Sequence, residues 1–202
     1  MRGHRATDRL LRLGAIAVAC GPALALAGRY AIEGLGADPI KDWTHTTGRW
    51  ALRFLLISLA VTPIRRFAGL RGIAPLRRTF GLAAFAYALA HLLIWSVLDL
   101  GLEPAALVED VTERPYVMAG MAAFAILATL AATSTRAAMK RLGARWVSLH
   151  RAVYAAALLA LLHYFWQIKA DLLPAWIHAA ILTLLFAARL LWRFRRPASG
   201  TA

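Results

Sequence analysis

Residues 79–98 read TFGLAAFAYALAHLLIWSVL, a run of twenty residues with no Asp, Glu, Lys or Arg and with one histidine, His91. At 1.5 Å per residue, a helix of this length extends about 30 Å, the thickness of the hydrocarbon core of a bilayer. A membrane-spanning β-strand would alternate polar and apolar side chains over about ten residues, and this run does not alternate. The run therefore predicts a transmembrane helix that carries an imidazole inside the apolar layer.

The rest of the chain repeats this character. Five further apolar blocks lie at residues 13–28, 50–64, 115–133, 146–168 and 172–192. The 202 residues are 60% hydrophobic and only 17% charged, whereas soluble domains contain about 25% charged residues. The pattern predicts an all-α fold, a polytopic membrane bundle of six transmembrane helices that occupies residues 1–202 as a single domain. It leaves no room for a separate soluble catalytic domain.

The basic residues are distributed unevenly between alternate connecting segments. Seventeen of the 24 lie, with a single acid, in four segments: residues 1–12, 64–78, 134–146 and 189–202. Five bases and nine acids lie in the segments between them: residues 29–49, 99–115 and 168–173. Positively charged loops stay in the cytoplasm, so both termini are predicted to be cytoplasmic. The net charge of +14 therefore reflects membrane topology and requires no nucleic-acid partner.

Ionisable side chains inside a membrane are costly and usually mark function. By the helical rise, His91 lies about 12 Å below Asp99 and His163 about 9 Å below Lys169, both in the outer half of the membrane. Because their depths match on two helices, these two imidazoles are expected to meet. His4 and His45 lie outside the apolar blocks, where solvated side chains are expected.

Two more histidines lie at other depths. His150 is about 7.5 Å from Arg145 on the inner side, and His178 is about 6 Å from the outer edge. His178 is expected to be a packing residue that hydrogen-bonds within the bundle. His150 and His163 are 13 residues apart, which places them about 140° apart around an ideal helix. Either the helix is distorted, or the two histidines address different partners.

Facing imidazoles in an apolar bundle suit the axial ligation of a b-type haem. A structural zinc site needs four ligands of Cys, His or carboxylate type, and the apolar blocks contain no acid. A proton relay usually pairs histidine with a carboxylate. The single cysteine, Cys20, excludes an internal disulfide, a CxxC pair, a four-cysteine iron–sulfur site and a CxxCH haem attachment.

Arginines inside or beside the blocks have two interpretations. Arg53 and Arg151 would pair with anionic haem propionates, or their side chains would extend to the lipid headgroups. The inner arginines would hold a flavin phosphate or, with greater weight, orient the chain and contact anionic lipids. The chain contains neither GxGxxG nor GxxxxGK[ST]. We therefore expect electrons to arrive from a quinol or a separate reductase, because no nucleotide-binding motif is present.

Four segments are similar to the MsrQ family, the haem-binding membrane subunits of the periplasmic protein-methionine-sulfoxide reductase system. They read GRWALRFLLISLAVTPIRR, RRTFGLAAFAYALAHL, RPYVMAGMAAFAILATLAATS and LGARWVSLHRAVYAAALLALLHYFWQIKAD. The likeness covers about residues 45–195, and the family belongs to the ferric-reductase-like transmembrane group of six-helix b-haem proteins. The resemblance also implies that the first apolar block, which has the form of a signal peptide, is retained.

The resemblance implies electron transfer across the bacterial inner membrane to a periplasmic molybdopterin-containing reductase that repairs oxidised methionines. It implies that His91, His150 and His163 bind one or two haem b groups, that quinones or a cytosolic flavin reductase donate electrons, and that FMN is a further cofactor at residues that stay unassigned. The larger members of the group have paired histidines on the third helix. Here Arg77 and Arg78 stand at the inner position, which argues against a conventional two-haem chain.

Two other functions stay open on the sequence. One is a quinol-oxidising cytochrome b or metal-ion reductase subunit that serves another redox partner. The other is a membrane transporter or scaffold without redox activity, which the lack of intramembrane acids and of an evident inverted repeat disfavours. For the redox functions, the acids Glu109, Asp110 and Glu113 of the outer segment are expected to attract a basic patch on the partner.

Overall fold

The computed structural model describes residues 2–194. Residues 195–202, which are part of the segment predicted to be cytoplasmic, and the side chain of His4 lie outside the described part. Every regular element in residues 2–194 is helical, so the all-α prediction is confirmed. The helices are α1 (Arg2–Glu33), α2 (Pro39–Phe67), α3 (Leu76–Leu93), α4 (Pro104–Glu113), α5 (Pro115–Ala132), α6 (Arg136–Leu142), α7 (Ala144–His150), α8 (Val153–Gln167) and α9 (Leu173–Phe194). A 3-10 turn, Arg71–Ile73, precedes α3, and a π-helical turn, Ile94–Asp99, extends it.

Five stretches of the described chain are long and apolar enough to cross a membrane. They are Arg9–Glu33, Leu76–Asp99, Pro115–Ala132, Ala144–Gln167 and Leu173–Trp192. The protein is therefore a membrane protein with several apolar helices. The sixth predicted span, residues 50–64, lies in α2, which is not among the five. Arg49 and Arg53 interrupt the apolar character of that helix.

Helix α2 lies at the centre of the bundle and packs most extensively on α3. Its side chains Phe54 and Leu59 are 0% exposed and Leu55 is 1% exposed. Phe54 contacts the rings of Phe80 and Tyr87 on α3, at centroid distances of 6.0 and 5.3 Å. Because neighbouring helices cover this part of α2, its apolar side chains face protein.

A second close pair is formed by α5 and α8. Small residues line the contact: Ala119 and Ala123 of α5 and Ala156 and Ala157 of α8 are all buried. Small side chains let helix backbones approach closely, which is the usual basis of helix packing inside membranes. The bundle thus contains two tight helix pairs, α2 with α3 and α5 with α8.

The predicted span at residues 146–168 is interrupted after His150. The amide of Arg151 donates to the carbonyl of Ser148 (3.1 Å), and the amide of Ala152 donates to that of Leu149 (3.0 Å). These bonds span three residues, as in a 3-10 turn, and they separate α7 from α8. The helix is therefore distorted between His150 and His163, one of the two explanations offered by their spacing.

Because α2 lies at the centre of the bundle, truncating one of its buried side chains should destabilise the protein. Leu59→Ala leaves a cavity among helices and should lower the free energy of unfolding by about 2–5 kcal/mol. Leu184→Ala, on the outer face of α9 at a side chain 68% exposed, is the matched control and should change it little. Reversible unfolding in mixed micelles measures both. Equal losses for the two variants would contradict the central placement of α2.

Candidate functional site

A cavity of about 430 Å³ lies between α2, α3, α5 and α8. This volume falls in the range of small-molecule sites, about 300–1,000 Å³. Its inner wall is apolar, with Leu52 and Leu55 on one side and Phe124 and Leu127 on the other. Its mouth is polar and lies at the end of the bundle where α2 and α5 begin. An apolar chamber with a polar opening fits a flat hydrophobic group that has charged substituents at one edge.

His91 and His163 face each other in this cavity, as their matched depths predict. Their ring centroids are 6.0 Å apart, and the ring planes are inclined by 80°. A metal–imidazole bond of about 2 Å on each side, as histidine makes with zinc, together with the radii of both rings, gives a similar separation. The pair therefore has the spacing of two axial ligands on one metal ion.

The backbone holds one nitrogen of each imidazole. Nδ1 of His91 lies 2.9 Å from the carbonyl oxygen of Thr44 on α2, and Nδ1 of His163 lies 2.6 Å from that of Tyr116 on α5. A carbonyl accepts only from N–H, so each Nδ1 carries the proton and each Nε2 keeps its lone pair. Metal-binding histidines are typically oriented in this way.

His150 lies apart from this pair and is not part of the cavity wall. Its ring stacks on Trp146 at a centroid distance of 3.9 Å, and its Nδ1 lies 3.1 Å from the Trp146 carbonyl. Its Nε2 is buried and has no hydrogen-bond partner among the described residues. Leaving a buried polar atom unpaired costs about 1–3 kcal/mol. With Nδ1 bonded to the Trp146 carbonyl, Nε2 keeps its lone pair, and the ring also lies against the backbone of Leu130.

His178 has an intrahelical partner. Its Nδ1 lies 2.5 Å from the carbonyl of Pro174, and its ring packs edge-on against Tyr164 at 5.6 Å. The side chain is 7% exposed and is not part of the cavity wall. These contacts agree with the expected packing role.

His45 differs from its expected solvated position, because it lies in the cavity wall. Its Nε2 is 3.4 Å from Nε2 of Gln167. Burial, followed by the charges of Arg49 and Lys41, lowers the pKa of His45. The helical spacing of residues 41, 44, 45, 48, 52 and 55 on α2 places them on one face, and this periodicity is the sequence signal for His45.

The two arginines predicted for the propionates lie outside the cavity wall. The guanidinium of Arg53 is 4.7 Å from the ring centre of Trp50, and Arg151 is exposed at the turn between α7 and α8. The cations that line the cavity are Lys41, Arg49 and Arg114. Sequence reasoning missed these three, because the rotation of each helix decides which basic residue faces inward.

Asp110 of α4 closes one side of the mouth. It is 9% exposed and accepts a hydrogen bond from the indole of Trp95 (3.1 Å). It also pairs with Arg114 at 3.1 Å. The pKa of Arg114 is raised, chiefly by the hydrogen bond to the Tyr116 hydroxyl and further by the charge of Asp110. Asp110 is therefore engaged by groups of this protein itself, whereas Glu109 and Glu113 are exposed.

Arg189 of α9 is a second charged residue whose role the sequence did not indicate. Its guanidinium donates to the carbonyls of Leu59 (2.5 Å) and Leu185 (2.9 Å). It lies 5.3 Å from the ring centre of Tyr154. Arg189 thus ties α9 to α2 and α8, which is a structural role.

Among the side chains that the structure describes, no group of three or more His, Cys, Asp or Glu is placed to hold a metal ion. Two facing imidazoles can complete the coordination of a metal ion whose other ligands come from a macrocycle.

Comparison with known proteins points to the same chemistry. A family model described as ferric reductase like transmembrane component matches residues 47–161. The heme-binding subunit MsrQ of protein-methionine-sulfoxide reductase from Bordetella pertussis is 46% identical over 170 residues, covering 83% of this chain and 82% of that protein. The MsrQ subunit from Rhodospirillum rubrum is 44% identical over 196 residues, covering 96% and 94%. The one from Ralstonia nicotianae is 40% identical over 195 residues, covering 95% and 90%.

The contacts of Asp110 generate a second stability prediction. Asp110→Ala removes the acceptor of the Trp95 indole and the partner of Arg114, and should lower the free energy of unfolding by about 1–3 kcal/mol. Glu109→Ala, at the adjacent exposed acid, should change it by less than about 0.5 kcal/mol. The same unfolding assay compares them. If the Asp110→Ala variant has an unchanged free energy of unfolding, the position of α4 does not depend on these bonds.

Proposed function

The chain belongs to the MsrQ family of ferric-reductase-like membrane proteins, and we propose that it is a b-type cytochrome that carries electrons across the bacterial inner membrane to a methionine-sulfoxide reductase. The observation that carries this proposal is the His91–His163 pair, held by two backbone carbonyls over an apolar cavity. The similar proteins are heme-binding subunits of protein-methionine-sulfoxide reductase, which supports both the cofactor and the electron acceptor.

When bound, haem b supplies one-electron cycling between Fe(III) and Fe(II). His91 and His163 would hold the haem iron through Nε2, whose lone pairs are available because Nδ1 of each ring carries the proton. The apolar side chains of Leu52, Leu55 and Phe124 would exclude water from the macrocycle. No bond of a substrate is made or broken in this chain under the proposal, because the chain supplies only ligands and an apolar enclosure.

Propionates need cationic donors at the mouth of the cavity. Arg49 fits this role, since it lines the cavity, donates to the His45 carbonyl (3.2 Å) and forms no ion pair with an acid in the described chain. Arg53 lies one helical turn deeper and is the second candidate. Arg151 lies next to His150 and would serve only a haem on the inner side.

We propose His150 as a second or alternative haem position on that inner side. Its buried, unpartnered Nε2 supports this assignment. The donor would be the quinone pool or a cytosolic flavin reductase. FMN is proposed from the family resemblance alone, and its residues are not assigned.

The membrane arrangement is part of the proposal. Helix α2, 29 residues long, extends about 43 Å, enough to serve as a sixth transmembrane helix. Its buried centre supports a span despite Arg49 and Arg53, because other helices shield it from lipid. The charge bias supports cytoplasmic termini, and the proposed haem core covers about residues 45–195. With this orientation, the mouth of the cavity opens to the periplasm, where a molybdopterin-containing reductase would receive electrons.

A quinol-oxidising cytochrome b or metal-ion reductase subunit is the second candidate. The ferric-reductase-like match over residues 47–161 favours it over a transporter or scaffold, which would not need facing imidazoles. Only the identity of the electron acceptor distinguishes it from the first candidate.

The ligand assignment is tested by substitution. His91→Ala and His163→Ala should each abolish the haem of the cavity, because one axial bond is lost. His178→Ala is the matched control, since its ring is bonded within its own helix. The dithionite-reduced minus oxidised spectrum of the purified protein, with haem counted per chain, measures the effect. Normal haem in a folded His163→Ala protein would refute the assignment.

The exposed acids of α4 make a further prediction. Glu109→Lys with Glu113→Lys should slow electron delivery to the reductase several-fold at low salt, because charge attraction accelerates association. The difference should shrink as salt screens the charges. Glu33→Lys, an exposed acid at the end of α1, is the control. Stopped-flow oxidation of the reduced cytochrome gives the rate, and salt-independent, unchanged kinetics would contradict docking at α4.

A further inference from the structure

The two helix pairs that enclose the cavity are related by a constant shift of 72 residues. In each pair, one helix contributes a carbonyl and a glycine four residues later, and the other contributes a histidine. The first set is Thr44, Gly48 and His91, and the second is Tyr116, Gly120 and His163. Both histidine Nδ1 atoms bond the carbonyl that lies 47 residues earlier in the chain.

The same shift relates the rest of the cavity wall. Nine further pairs of the lining residues are 72 apart, among them Leu52 with Phe124, Leu55 with Leu127, and Ala88 with Ala160. Ala84 and Ala156, also 72 apart, are both 0% exposed. The shift of 72 residues relates α2 to α5 and also α3 to α8. The cavity is therefore enclosed by two equivalent helix pairs, and the first helix of each pair starts at the same end of the bundle. Parallel repeats of this kind are a known architecture of membrane proteins.

Gly48 and Gly120 are the residues of this repeat that lie closest to the two imidazole rings and limit their positions. A Cβ atom added at Gly48 would lie 3.0 Å from Nδ1 of His91, and one at Gly120 would lie 2.8 Å from Nδ1 of His163. Non-bonded heavy atoms prefer about 3.5–4.0 Å. Each ring therefore packs directly on a glycine backbone, one helical turn after the carbonyl that accepts its N–H.

We propose that Gly48 and Gly120 are positioning residues that set the rotation of the two haem-ligating imidazoles. The carbonyl fixes Nδ1 of each ring, and the missing side chain lets the ring lie against the helix. Together they keep the ring planes at 80° to each other. The proposal rests on the proposed haem function and extends it to two residues that touch neither metal nor substrate.

The experiment compares three single variants of the full-length protein purified with its haem: Gly48→Ala, Gly120→Ala and Gly81→Ala. Gly81 is the matched control, because it is also a helix glycine, and its added Cβ would meet the Ser58 hydroxyl at 3.3 Å, away from both histidines. Alanine is the better helix former, so helix propensity alone predicts no loss in any variant.

Gly120→Ala should weaken haem affinity by about 10- to 100-fold, the effect typical of lost ligand orientation. Gly48→Ala should do so less, because its contact is longer. In the haem that both variants retain, the ferric electron paramagnetic resonance anisotropy and the midpoint potential should shift, since both respond to the relative orientation of axial imidazoles. Gly81→Ala should match the wild type in all three measurements. If Gly120→Ala does not fold, the milder Gly48→Ala carries the test.

Two outcomes would overturn the proposal in distinguishable ways. Wild-type haem content, spectrum and potential in folded Gly48→Ala and Gly120→Ala proteins would refute the positioning role and leave the haem function intact. Absence of haem from the wild-type and Gly81→Ala proteins, even after reconstitution, would refute the haem function and the positioning role together.

Discussion

A neutral imidazole buried in an apolar bundle needs a partner for each of its ring nitrogens, and the part of the bundle around the cavity is organised to meet that need. At His91 and His163, a backbone carbonyl of the neighbouring helix accepts one N–H, and the other nitrogen faces the cavity. The carbonyls are already bonded within their own helices, so they accept a second donor without breaking the helix. The close packing of α2 with α3 and of α5 with α8 is what brings ring and carbonyl together.

This arrangement explains why the central helix α2 is less apolar than the five helices that are long and apolar enough to cross a membrane. Helix α2 must present a carbonyl and a glycine to His91 while its polar residues, among them His45 and Arg49, reach the mouth of the cavity. A helix facing lipid would not tolerate these side chains. Enclosure by other helices permits them, and the buried Phe54 and Leu59 show how complete that enclosure is.

The sequence predicted the features that depend on position along a helix. The all-α fold followed from apolar block length, and the meeting of His91 with His163 followed from equal depth. Features that depend on helix rotation and on neighbours were not accessible in this way. Arg49 lines the cavity where Arg53 was expected, and Asp110 is buried where docking was expected. The interruption after His150 was anticipated only as one of two explanations for its spacing from His163.

The equivalence of the two halves bears on biogenesis. The first half of the site is complete when α3 has left the ribosome, and the second only when α8 has followed, more than 70 residues later. Each half brings its histidine already tied to its own helix pair. Under the proposed haem function, both ligands are therefore available only after α8 has been made, and we expect haem capture to lock the two separately inserted hairpins into one bundle.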